Sequence, residues 1–169
     1  SVPTPPRPAT APAPSELAWV PFVSVQNMMA LINGIGLETA LRELADYIEA
    51  DFRRWPDFDK TPRVASHSRD GVIELMPTAD AESYGFKYVN GHPANLKAGF
   101  QTVTAFGVLA SVANGYPLLL TEMTVLTALR TAATSALVGR LLAPKGARTM
   151  AMIGAGAQCE FQALAFRAI

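Results

Sequence analysis

A single cysteine, Cys159, stands in 169 residues. One thiol cannot form an internal disulfide, which excludes a disulfide-stapled secreted scaffold and fits a reducing compartment. Charge is sparse and balanced, with 14 Lys and Arg against 14 Asp and Glu. There is no basic surplus of the kind that marks binding to nucleic acid or to an anionic membrane, so neither is expected as a partner. Any charge-dependent function has to be local. No uninterrupted apolar run reaches membrane-spanning length, and the N-terminus lacks the basic-then-apolar order of a secretory signal. These absences point to a soluble, cytoplasmic protein. What is present is core material: 50% of the residues are hydrophobic and 17% charged. That suffices for one domain, or one domain and a piece of another.

Six of the 13 prolines fall within Ser1–Pro14, so residues 1–16 read as a flexible, Pro-rich lead-in without a catalytic role. Trp19–Val23 is expected as a first strand. Ser24 is placed to cap a short helix that Asn33-Gly34 would end. Leu37, Leu41, Leu44, Ile48 and Phe52 recur at intervals of three and four and predict a second, amphipathic helix. Residues 51–60 read as a loop. Strands follow over Arg63–His67, Val72–Met76 and Tyr84–Asn90, with a tight turn at Asp70-Gly71. A longer run over Thr102–Val112 returns through Asn114-Gly115 into Pro117–Thr121. A helix is expected over Thr124–Leu142, stopped by Pro144-Lys145-Gly146. Thr149–Ile153 reads as a strand leading through Gly154-Ala155-Gly156 into a helix, the opening of a parallel βαβ unit that calls for further chain. The fold class is therefore α/β: an α+β domain over 17–128, then the start of a Rossmann-type unit over 129–169, incomplete within this sequence.

Two features carry chemistry. The first is the glycine turn, where Gly154 and Gly156 would let a pyrophosphate approach the backbone N–H groups of a helix start. A plain glycine-rich turn has the same spacing. Cys159 stands where that fingerprint has a third small residue, and reads as a packing position. The second is charge inside apolar strands: Arg63, Glu74 in Val-Ile-Glu-Leu-Met, and Lys87 in Tyr-Gly-Phe-Lys-Tyr-Val. Because strand side chains alternate, neighbouring strands with matching faces would gather two cations and a carboxylate on one surface. That surface is either an ordinary solvated face or an amino-acid pocket, with Arg63 and Lys87 holding a carboxylate and Glu74 an ammonium group. Arg130 interrupts an otherwise neutral helix. His92 is either a switchable acid or base or a hydrogen-bonding partner in its turn.

In this order, Arg63-Val-Ala-Ser-His-Ser68, Gly71-Val-Ile-Glu-Leu-Met-Pro77, Phe86-Lys-Tyr-Val-Asn-Gly-His-Pro-Ala-Asn95, Thr102-Val-Thr-Ala-Phe-Gly-Val-Leu109, Ala128-Leu-Arg-Thr-Ala-Ala-Thr-Ser135 and Ile153-Gly-Ala-Gly-Ala-Gln158 resemble the ornithine cyclodeaminase/mu-crystallin family. The resemblance covers about Val20 to Ile169. It implies a homodimeric, NAD-dependent ammonia-lyase that converts ornithine to proline through a cyclic imine, as in arginine and ornithine catabolism. It also implies that Arg63 and Lys87 bind the substrate carboxylate and that Glu74 lies near the amino groups. Lys87 and Glu74 are then the catalytic candidates, with an essential aspartate expected beyond Ile169. Arg130 would lie between substrate and cofactor, and Thr102, Gly154, Gly156, Ala157 and Gln158 would contact the dinucleotide. Lysine cyclodeamination, ketimine reduction, alanine dehydrogenase-like oxidation and a non-catalytic mu-crystallin-like binding role are the alternatives within the same resemblance.

Overall fold

The structure, a computed structural model, describes residues 19–169. The Pro-rich lead-in expected at 1–16 lies outside the described residues, as do the first two residues of the expected 17–128 domain. Ten main elements follow one another: β1 (Phe22–Val23), α1 (Val25–Ile35), α2 (Leu37–Arg53), β2 (Val64–His67), β3 (Val72–Ala79), β4 (Ser83–Gly91), β5 (Ala105–Ser111), β6 (Pro117–Glu122), α3 (Thr124–Leu142) and α4 (Gln158–Ala168). The fold is mixed α/β, as expected. It forms two compact units. One contains residues 19–28 and Arg54–Thr124, and the other contains Met29–Arg53 and Val125–Ile169.

The first unit is a six-stranded sheet ordered β1-β6-β5-β4-β3-β2. All pairs are antiparallel except β1, which lies parallel to β6. Strand β1 is shorter than the expected Trp19–Val23. Pro21 has no N–H to give to a ladder, and only its carbonyl is used, by the Leu120 N–H at 2.9 Å. Strand β5 begins at Ala105 rather than Thr102. The carbonyls of Thr102 and Thr104 still accept the N–H groups of His92 and Asn90. The Thr104 N–H, however, goes to the Asn90 side chain, so regular pairing stops there. Gly115 joins β5 to β6 with φ +74°, the left-handed conformation the Asn-Gly turn calls for. Gly71 has a different reason to be glycine. Its φ is not positive; instead an added Cβ would stand 2.3 Å from the Gly91 carbonyl oxygen.

The β3–β4 connection is tied by Asp80. One carboxylate oxygen accepts the N–H groups of Glu82 and Ser83 at 3.0 and 2.8 Å, and the other accepts Arg54 Nη1 at 3.0 Å. Burial pushes the Asp80 pKa up, but the Ser83 and Glu82 N–H groups and the Arg54 guanidinium outweigh it and hold the carboxyl below its usual range. A depressed native pKa gives stability that is complete above the unfolded-state value and is lost as pH falls through the native one. Asp80→Ala is expected to cost about 1–3 kcal/mol in urea unfolding of the full-length protein at neutral pH. That difference from wild type should shrink on acidification.

In the second unit α2, α3 and α4 pack together. Leu41 and Ala45 of α2 are buried, and so are Leu129, Ala132, Ala133, Ala136 and Leu137 of α3. Gly139 lets the Phe166 ring of α4 lie against α3. Arg140 reaches Glu49 at 2.9 Å, and Arg167 pairs with Glu38. The expected stripe on α2 departs at Phe52, which is 55% exposed. Gly36, with φ +85°, ends α1 and turns the chain into α2, two residues after the expected Gly34. At its start, Ser24 and Asn27 cap each other's backbone N–H groups. By length and composition α3 could cross a membrane. Its buried Leu and Ala stripe and its Arg140–Glu49 pair are those of a helix packed within protein.

Candidate functional site

Strand register decides which charges meet. Met76 lies opposite Lys87 and Glu74 opposite Val89 across β3–β4, while Ala65 lies opposite Glu74 across β2–β3. Opposed residues of an antiparallel pair share a face, as do residues two apart along one strand. Glu74 and Lys87 therefore stand on the same side of the sheet. Arg63, immediately before β2 and two residues from Ala65, joins them: its Nη1 donates to Glu74 Oε1 at 3.1 Å. The Glu74 side chain is 21% exposed and that of Arg63 59%, so the carboxylate is enclosed while the guanidinium stays open to an incoming group. Among the described residues no cluster of His, Cys, Asp and Glu could hold a metal ion.

The sequence did not reveal the floor between these charges. Lys87 lies opposite Gly107, and Val89 opposite Ala105. A Cβ on Gly107 would meet Met123 Sδ at 2.3 Å, so the thioether fills the gap left by the missing side chain. Met76, Val89, Ala105 and Met123 give the charged face an apolar base. A glycine within an apolar strand is a signal for such close approach, but it does not name the neighbour.

The reverse face carries Val64, Ile73, Leu75, Tyr84, Phe106 and Leu120, all exposed. Tyr88 and Phe106 stack there with centroids 4.9 Å apart. At the end of β4 the His92 ring takes a hydrogen-bonding role rather than standing free as an acid or base. Its Nδ1 lies 3.1 Å from Asn90 Nδ2, and its ring carbons lie where a Gly71 side chain would be.

The remaining candidates belong to the helical unit. Arg130 is exposed on α3. The expected strand Thr149–Ile153 does not form, and Ile153 is fully exposed. A strand needs a ladder partner, and none of the six strands pairs with this segment. The turn after it nevertheless has the expected character. Gly154 has φ +97°, and a Cβ on Gly154 or Gly156 would meet nothing within 4 Å. Helix α4 starts at Gln158, after Ala157, with no side-chain cap on its first N–H groups. A left-handed glycine, open space and an uncapped helix start suit an anionic group such as a dinucleotide pyrophosphate. Cys159 is half-buried and its N–H is bonded to the Gly156 carbonyl, consistent with packing.

The same architecture occurs in solved structures of mixed α/β enzymes. One is a lysine cyclodeaminase, with TM-score 0.82 and 25% identity over 88% of this chain and 46% of that one. Another is an archaeal alanine dehydrogenase dimer with bound NAD, with TM-score 0.78 and 29% identity over 88% of this chain and 45% of that one. Fold and sequence agree on a single assignment. Residues 25–169 match the ornithine cyclodeaminase/mu-crystallin family, and the chain belongs to it. The ornithine cyclodeaminase of Brucella suis biovar 1 (strain 1330) is 73% identical over 150 residues, which are 89% of this chain and 42% of that protein. The chain thus spans less than half the length of the relatives it matches.

Proposed function

We propose that the full-length protein is an ornithine cyclodeaminase, a lyase that converts L-ornithine into L-proline and ammonia with NAD. The observation that carries this reading is the placement of Arg63, Glu74 and Lys87 on one sheet face over an apolar floor. The two cations bind the α-carboxylate, and the methylenes lie on Val89 and Met123. Glu74, now paired with Arg63, exchanges that partner for a substrate ammonium group. Fixing the carboxylate at two points orients the α-carbon, which is how this half of the protein lowers the barrier. Bound NAD supplies the hydride acceptance and return that a redox-neutral conversion needs. Gly154, Gly156, Ala157 and Gln158 would hold its pyrophosphate at α4, and the family resemblance assigns Thr102 and Arg130 cofactor-binding roles of their own. An aspartate outside this sequence handles protons. The exposed apolar face of the sheet supports a homodimer, and the lone thiol supports a cytoplasmic setting.

Ammonia release by the full-length protein with NAD, compared for ornithine, lysine and alanine, tests the assignment. Ornithine is expected to give the highest kcat/KM, with proline as product. A preference for lysine or alanine would move the protein to another activity of the same family.

A further inference from the structure

Asn90 and His92 form a clamp on the segment 102–104 that nothing in the charged face requires. Asn90 Oδ1 accepts both the Thr104 N–H at 2.7 Å and the Thr104 hydroxyl at 2.6 Å. Two donors on one oxygen fix the orientation of the amide, so Nδ2 is the group that faces His92 Nδ1 at 3.1 Å. Nδ2 can only donate, so Nδ1 must be an unprotonated acceptor and the imidazole proton sits on Nε2. The backbone is tied as well: the N–H groups of Asn90 and His92 donate to the carbonyls of Thr104 and Thr102 at 3.1 and 2.9 Å. Gly71 leaves room for the ring.

We infer that His92 is a positioning residue for dinucleotide binding, acting through Asn90 on Thr102–Thr104 with its Nδ1 as the acceptor. The inference rests on the reading of Thr102 as a cofactor contact. Loss of the Nδ1 acceptor releases the Asn90 amide to rotate and loosens the 102–104 segment. Dinucleotide affinity then falls and an acceptor of the same reach restores it, whereas a purely structural histidine would lower affinity and stability together.

The test uses the full-length protein and titration with NAD, followed by fluorescence. His92→Ala is expected to weaken NAD binding about fivefold to tenfold, as loss of one well-made hydrogen bond does, with the ornithine KM changed less than about twofold. His92→Asn places an acceptor oxygen near the Nδ1 position and is expected to restore affinity. If His92→Ala binds NAD normally while Thr102→Val binds it weakly, the clamp is wrong and the Thr102 contact stands. If Thr102→Val binds normally, both fall. Should His92→Ala fail to fold, weak NAD binding by a folded His92→Asn overturns the inference by itself.

Discussion

Lys87→Ala in the full-length protein is expected to lower kcat/KM for ornithine by about 10²–10³-fold while NAD affinity stays near wild type. Removal of one preorganised charged donor has losses of this order, because the group it held is left without a partner in a partly enclosed site. Lys87 stands in mid-strand, with Met76 opposite on β3 and Gly107 opposite on β5, so no neighbouring cation can swing into its place. Arg63 alone would then hold the carboxylate, at one point instead of two. Steady-state kinetics together with NAD titration separate the two effects. Near-normal turnover in this variant would remove the carboxylate role from the strand face.

Gly71→Ala is expected to cost about 3 kcal/mol and to shift the unfolding midpoint of the full-length protein clearly downward. Its Cβ would approach the Gly91 carbonyl oxygen to 2.3 Å and the His92 ring carbons to 2.7 Å. A flexible side chain could yield, but the Gly91 carbonyl is backbone, held by pairing with Val72 at the end of the β3–β4 ladder. The loop between β2 and β3 would have to move away, and with it Arg69, Asp70 and the wall beside His92. Thermal or urea melts measure the loss. A melt equal to wild type would mean that β3 and β4 do not approach as described.

Local chemistry explains what could be read in advance. Leu37, Leu41, Leu44 and Ile48 announce α2 because each turn repeats one face. Asn114-Gly115 announces a hairpin because few residues tolerate the required φ. The stop at Pro144-Lys145-Gly146 gave α3 its C-terminal bound. The charged residues stood out because Arg63, Glu74 and Lys87 interrupt apolar alternation, and that alternation already put each on a definite side of its strand. Pairings over long stretches of chain were not legible. Nothing near Phe22 says that it will lie parallel to Leu120, and nothing near Gly107 says that Met123 will cover it. One error and one omission share another cause. Residues 149–153 have the composition of a strand, but composition cannot supply a partner. Gly71 has the composition of a turn glycine, but its constraint comes from Gly91 across the sheet.

The Arg63–Glu74 pair and the nearby Lys87 exist only because three strands agree on parity. Arg63 and Lys87 are odd-numbered and Glu74 even-numbered, and the intervening loops make those parities coincide on one side. Evolution can therefore exchange side chains along β2, β3 and β4 far more freely than it can change the number of residues in them. One residue gained or lost within β3 between Val72 and Glu74, without a bulge to absorb it, would turn the glutamate toward Ile73's side and present Leu75 on the charged face. Length, more than composition, is what these strands must inherit unchanged.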